Sequence, residues 1–243
     1  MSDALDRLLR ARVRPTRRPV MRQRWDDLFF LHWEYEAEAI QARLPAGLTV
    51  DTFAGKAHLG VVGFRMNAVR PAGLPALPWL SSFNELNVRT YVHDASGEPG
   101  VWFFSLDCDR APAVVIARTL FGLPYEHATM SFGPGLAQSC RRRGEAETAR
   151  YAWSEPSAPE VAAPGSLAFH LAERYNFFSV RGRQLVRGQV HHAPYQLSPT
   201  KASAWSDLPL RWDGFDVGGR PPDLAHCCQG VAIEAFSLVP AHA

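Results

Sequence analysis

Lysine is almost missing from this sequence. Of its 26 lysines and arginines, only Lys56 and Lys201 are lysine. Any chemistry that needs a side-chain amine, a Schiff base above all, therefore has two candidates. Cysteine is scarce as well, with Cys108, Cys140, Cys227 and Cys228 making up the four. Cys227 and Cys228 are adjacent and no C-x-x-C pair occurs, so neither a disulfide framework nor a zinc knuckle is indicated. The thiols read as reduced, as in a cytoplasmic protein. No apolar run reaches the roughly 18 residues of a membrane helix, and the N-terminus lacks the apolar core of a signal peptide. Gly218-Gly219 leads into Pro221-Pro222 and starts no helix, so it makes no phosphate cradle. The G-x-S-x-G elbow of an α/β-hydrolase is absent. A formal charge of +2 is too small to argue for nucleic acid.

What is present suits a globular protein: 47% of residues are hydrophobic and 21% charged. The length of 243 residues allows one large domain or two small ones. The start is rich in arginine, from Arg7, Arg10 and Arg12 to Arg22 and Arg24. Residues 1–20 are expected to be a flexible, solvated tail, or a short surface helix with Leu5, Leu8 and Leu9 on one side. From residue 21 to 240 no Pro/Ser linker divides the chain, and a single domain is expected.

Within it, Asp27–Trp33 suits a buried strand, and Ala37–Leu44 a short helix stopped by Pro45 and Gly47. Strands are expected over Thr49–Phe53 and Ala57–Phe64. Residues 70–80 carry Pro71, Gly73, Pro75, Pro78 and Trp79 and read as a lid or rim. Val101–Leu106 returns after a turn to make a hairpin. A helix over Ala113–Phe121 ends at Gly122 and Pro124, weaker strands follow around Arg141–Gly144, and a second helix covers Gly165–Arg174. Tyr175–Val180 and Gln184–His191 pair around Arg181-Gly182-Arg183, and Gly230–Leu238 is the last strand. Many strands without βαβ alternation argue for a closed or sandwiched antiparallel sheet with helices at its side.

The stretch Ser81–Val92 is unusual. At a period of two, Phe83, Glu85, Asn87, Arg89 and Tyr91 share one side, while Leu86, Val88 and Val92 share the other with Thr90. A row of acid, amide, guanidinium and phenol faces water, satisfies itself inside the protein, or lines a ligand cavity. Glu85 and Arg89 are about 13 Å apart along such a strand, so Asn87 would have to bridge them. In a cavity, Arg89 would take an anion by a two-pronged hydrogen bond, and Glu85 could act as acid or base.

Several short motifs occur in order: His32-Trp33, LPAGL at Leu44–Leu48, FNELNVRTYV at Phe83–Val92 and PGVWFFSLD at Pro99–Asp107. ARTLFGLPYEHA at Ala117–Ala128, Glu173-Arg174-Tyr175 and HHAPY at His191–Tyr195 follow. Together they resemble the bacterial family called domain of unknown function 2071, in the acetoacetate-decarboxylase-like superfamily. The resemblance implies a mainly β (α+β) fold: a double-sheet, cone-like closed β-barrel with a few flanking helices and a central cavity. It places Glu85 at the family's active-site glutamate and Arg118 at a helix arginine. The true decarboxylases carry G-x-P-K-K, one lysine of which forms the Schiff base. Here Gly122-Leu123-Pro124-Tyr125-Glu126 stands in its place, so the amine is missing.

The candidate site is therefore Glu85 and Tyr125 as catalytic groups, with Asn87, Arg89 and Arg118 binding substrate. Tyr125 could donate a hydrogen bond to a carbonyl oxygen or merely fill the volume of a lysine. Glu126 and His127 are further acid–base candidates at the cavity mouth. Glu173 and Arg174 are expected to fix a corner, with contact to the cavity as the alternative. Adjacent His191 and His192 point to opposite faces, so that with His32 they make no metal set. The expected partner is a small anionic or carbonyl-bearing molecule, with no cofactor, metal, nucleic acid or membrane; a homo-oligomer is compatible with the sequence. Two functions stay open: a lyase- or hydratase-type enzyme without a covalent amine, and a non-catalytic binding or structural module with a self-satisfied polar interior.

Overall fold

The computed structural model describes residues 3–77, 81–133, 137–154 and 157–242. Pro78 and Trp79 of the expected rim lie outside the described residues.

In chain order the strands are β1 (Met21–Tyr35), β2 (Leu48–Val50), β3 (Ala57–Pro71), β4 (Phe83–Asp94), β5 (Pro99–Cys108), β6 (Tyr125–Gly133), β7 (Ala137–Arg142) and β8 (Ala149–Trp153). They continue with β9 (Glu160–Val161), β10 (Asn176–Arg181), β11 (Gln184–His191), β12 (Gln196–Pro199), β13 (Ala202–Ala204), β14 (Leu224–Ala235) and β15 (Val239–Pro240). The helices are short: α1 (Asp3–Ala11), α2 (Ala37–Gln41), α3 (Ala111–Phe121), α4 (Leu167–Ala172) and α5 (Leu208–Trp212). Among the described residues no helix is long and apolar enough to cross a membrane.

The long strands form a ring. Going round, β5 is followed by β10, β11, β14, β1, β3 and β4, and the antiparallel β4–β5 ladder joins the ends. Two seams are thin. β5 and β10 run parallel over Val101–Trp102 against Phe177–Phe178, and β11 meets β14 over Val190–His191 only. From β5 the sheet also continues through β6, β7, β8 and β13 into a second layer. The fold is thus mainly β with few helices, as the strand pattern and the family resemblance imply.

Alternation explains the layering. On β1, Leu28 and Phe30 point into the ring, and Phe29, Leu31 and Trp33 point out of it. On β3, Val62, Phe64 and Met66 point in, and Leu59 and Val61 out. The outward set packs on Ala128, Cys140, Tyr151 and Trp153 of the second layer, with Leu210 and Phe215 closing one side. Leu86 and Val88 of β4 belong to that outer core, so the polar row of β4 faces the inside of the ring. A bulge at Asp27 (φ 53°) shifts the β1–β3 register between Asp26 and Phe29. The Arg65 guanidinium pairs with its carboxylate there, and the bulge puts Leu28 and Phe30 on the inner face.

The helices follow local signals. α3 has Pro112 near its start and Gly122 (φ 63°) at its C-cap. Glycine is doubly required there, since a Cβ would sit 2.6 Å from the Val180 carbonyl oxygen. α4 starts at Ser166, whose hydroxyl accepts the Phe169 N–H at 3.1 Å, and is shorter than expected. The Arg-rich start differs from a flexible tail, because Asp3–Ala11 forms a helix that buries Leu8 and Ala11. Leu8 joins the core formed by Phe169 and Ala172, and Arg12 pairs with buried Glu173 at 3.7 Å. The gain comes from covering apolar surface that only the folded ring presents.

Candidate functional site

The ring encloses a cavity of about 810 Å³, within the range of small-molecule sites. Glu85, Asn87 and Arg89 of β4 line it, with Tyr125 from the start of β6. Register accounts for the meeting: β4 pairs with β5 (Asn87 opposite Leu106), and β5 runs parallel to β6 (Leu106 opposite Tyr125). Tyr125 therefore lies two strands from the polar row and points to the same side.

The Tyr125 hydroxyl donates to Glu85 Oε2 at 2.5 Å, and Asn87 Nδ2 donates a longer bond to Oε1 at 3.3 Å. Burial pushes the Glu85 carboxyl up to about 7, although the Tyr125 and Asn87 hydrogen bonds and the Arg89 charge pull the other way. Burial, and then the Glu85 charge, push the Tyr125 phenol far above its ordinary value, so it remains a donor. Glu85 is thus poised between acid and carboxylate at neutral pH, the condition for passing a proton either way.

Arg89 lies deeper. Its guanidinium reaches only the Leu171 carbonyl, at 3.5 Å, and sits over the Phe30 and Tyr91 rings. Among the described residues no carboxylate pairs with it, and its buried Nε has no partner. Asn87 Oδ1 is likewise unpaired. Each unmet buried polar atom costs about 1–3 kcal/mol, more when charged, so the polar row does not satisfy itself. Gly60 of β3, opposite Arg89, makes the room. A Cβ there would lie 3.0 Å from Tyr91 Oη and 3.4 Å from Arg89 Cγ.

The structure does not bring Arg118 to the cavity. Its half-exposed side chain pairs with Glu126 at 2.9 Å, while Nε donates to the Tyr125 carbonyl at 2.5 Å. It anchors the strand that carries Tyr125. Glu126 and His127 also miss the cavity: Glu126 is at the surface with Arg118, and His127 lines a separate depression beside Arg141–Glu145. Glu173 and Arg174 do not pair with each other. Glu173 accepts from the Tyr175 hydroxyl and the Tyr195 N–H. Arg174 pairs with Asp51 at 2.7 Å and also lines the cavity, so that it holds a corner and reaches the cavity at once. The available signal was an arginine just past a short apolar helix, a position that only a buried acid elsewhere makes tolerable.

His32 Nε2 and Tyr91 Oη share a 2.6 Å hydrogen bond. Burial, then the Arg89 charge, hold His32 far below its ordinary value. His192 stacks on Tyr175 with centroids 4.5 Å apart. Among the described residues no three His, Cys, Asp or Glu side chains are grouped to hold a metal ion. Lys56 pairs with Glu34 at the surface at 2.6 Å, Lys201 is exposed, and neither lines the cavity.

The mainly β ring is a fold shared with solved enzymes. Acetoacetate decarboxylase from Legionella pneumophila superposes with a TM-score of 0.63 at 14% identity, over 92% of this chain and 88% of that one. The enduracididine biosynthesis enzyme MppR complexed with pyruvate gives 0.59 at 14%, over 92% and 91%. An acetoacetate decarboxylase-like enzyme from Sphingomonas wittichii RW1 gives 0.58 at 14%, over 92% and 94%. The fold is therefore that of the acetoacetate-decarboxylase-like proteins. Within that class the chain belongs to the DUF2071 family of uncharacterized conserved proteins, matched over residues 22–232. It is 37% identical to the uncharacterized protein YqjF of Bacillus subtilis (strain 168) over 187 residues, 75% of this chain and 77% of that one.

Proposed function

We propose that this protein binds a small organic carboxylate bearing a carbonyl group, and that Glu85 transfers a proton to or from it without a covalent amine. The observation that carries this reading is Arg89: a buried guanidinium on the cavity wall that pairs with no carboxylate among the described residues. A buried arginine left so is costly unless an anion completes it. The substrate carboxylate takes that place. Tyr125 holds Glu85 by one oxygen, and the other oxygen, bound only weakly by Asn87, faces the reacting carbon. The reaction class is a lyase step of the hydratase type: Glu85 as carboxylate takes the proton next to the carbonyl, the bond to a hydroxyl on the following carbon breaks, and Glu85 gives its proton to that oxygen, which leaves as water. A likeness in fold supports a small-molecule site but transfers no activity. The pyruvate bound to MppR is consistent with the ligand class.

The test is a thermal-shift screen of keto acids, hydroxy acids and aldehydes on wild type and Arg89→Gln. A ligand at 100 times its Kd adds about 2.7 kcal/mol to stability. The reading requires a shift in wild type that is lost in Arg89→Gln, and turnover lost in Glu85→Gln with binding kept. Binding without turnover in wild type would reduce the protein to a carrier. No shift from any compound, with Arg89→Gln melting far earlier than wild type, would make the polar row structural.

A further inference from the structure

A short keto acid held at Arg89 covers only the floor of the cavity. α4 lies over the Arg89 end of β4, through the Leu171 carbonyl. The other end of β4 leads to the mouth, where Phe83 packs beside Leu106, Val114 and Leu123. From Arg89 to Phe83 the strand runs about 20 Å, six residues at roughly 3.3 Å each. On β4 itself, the polar Asn87 and Arg89 occupy the inner part of that path and Phe83 the outer end. Phe64 and Met66 of β3 line the outer walls. At the rim stand Leu74, Leu77, Ile116 and Leu120, 58%, 49%, 44% and 56% exposed. Leucine and isoleucine left in water around the mouth of a cavity mark a surface that a ligand covers.

We infer that the ligand is an acyl carboxylate of medium or long chain: the carboxylate at Arg89, the carbonyl near Glu85 and Tyr125, and the chain running past Phe83 and out along α3. This rests on the carboxylate site proposed above and adds the substrate class. The elongated path favours a linear chain over a compact molecule. The position of Arg89 at the inner end of β4 fixes which end enters first, because a carboxylate is matched by the buried charge there and methylenes gain only where they leave water.

Calorimetric titration of the full chain with butanoate, octanoate and dodecanoate, kept below micelle-forming concentrations, reads this directly. Acetoacetate, pyruvate and the matching primary alcohols run alongside, on wild type, Arg89→Gln and Leu120→Asp. Affinity should rise about fourfold for each added methylene, the value of burying one CH₂, up to a length set by the mouth. Arg89→Gln should remove the preference for acid over alcohol. Leu120→Asp, a change at an exposed position that leaves the fold intact, should weaken dodecanoate and spare butanoate. If acetoacetate or pyruvate binds in an Arg89-dependent way and chain length adds nothing, the long-chain inference fails and the carboxylate site stands. Acids and alcohols binding alike, indifferent to Arg89→Gln, would overturn both. Dodecanoate binding at several sites per chain and insensitive to Leu120→Asp would overturn the chain path.

Discussion

At the scale of single residues, Glu85 links chemistry to stability. Its carboxyl is pushed from an ordinary 4.5 up to about 7 by burial. Between those values the folded protein keeps a proton that the unfolded chain has released, so stability falls as pH rises through this window and the full cost is present above 7. A shift of that size corresponds to about 3 kcal/mol. Glu85→Gln, which cannot ionise, should therefore gain on wild type between pH 5 and pH 8 by up to that amount. Urea denaturation of both proteins at the two pH values checks it, and parallel pH dependences would rule out a buried neutral acid. Taking the difference between the two proteins removes the parallel contribution of Asp107, whose carboxyl burial also raises, to about 6. Arg89 leads to a related expectation. Replacing an unpaired buried cation by glutamine should leave the ligand-free Tm unchanged or raise it, since no partner is stranded. An Arg89→Gln variant that binds nothing yet melts no earlier is the signature of a residue kept for function.

At the scale of elements, β3 and β4 show what the sequence could reveal. The alternation of β4 marked two unlike faces, and Leu86 and Val88 did form the apolar side. Which face looked inward was not legible locally, since it depends on β1 and β14 closing the ring from far along the chain. The family resemblance supplied that step, and it also brought in Arg118, whose guanidinium caps the Tyr125 carbonyl outside the cavity. Gly122 announced the end of α3 because capping is local chemistry. Gly60 and the docking of α1 were silent, as each depends on surfaces that exist only after folding. Gly63 of β3 makes the dependence measurable. A Cβ there would sit 2.3 and 2.6 Å from Phe29 ring carbons and 2.1 Å from Gln138 Oε1, where the two layers meet. Gly63→Ala should cost about 1–3 kcal/mol through overpacking, seen as a lower midpoint in denaturant. Gly60→Ala, tighter than usual but not impossible, should chiefly weaken ligand binding by displacing Arg89 and Tyr91.

At the scale of the whole molecule, the ring and the second layer are bound by a buried ionic cluster. Arg142 of β7 donates to both Asp107 oxygens, at 2.8 and 3.0 Å, and to Asp213 at 2.8 Å. It also donates to the Ser105 hydroxyl at 2.6 Å. Removing one side of such a cluster leaves the other charged and unpaired, so Arg142→Ala should destabilise the protein by about 3–5 kcal/mol, measured by chemical denaturation. Residues 21–240 are expected to melt in one transition, because the same hydrogen-bonded sheet joins β1 to β14. Scanning calorimetry would read two peaks if the second layer unfolded independently.

The pairing of β1 with β14, from Met21 opposite Ala235 to His32 opposite Leu224, also sets a schedule for synthesis. About 190 residues separate the two strands, so at 5–20 residues per second the ribosome needs roughly 10–40 s to supply the partner. Throughout that interval the run from Leu28 to Trp33 has one edge without its final neighbour, the condition in which nascent strands associate with the wrong chain. The nascent chain thus passes a vulnerable period, and closure of the ring waits until β14 has left the ribosome.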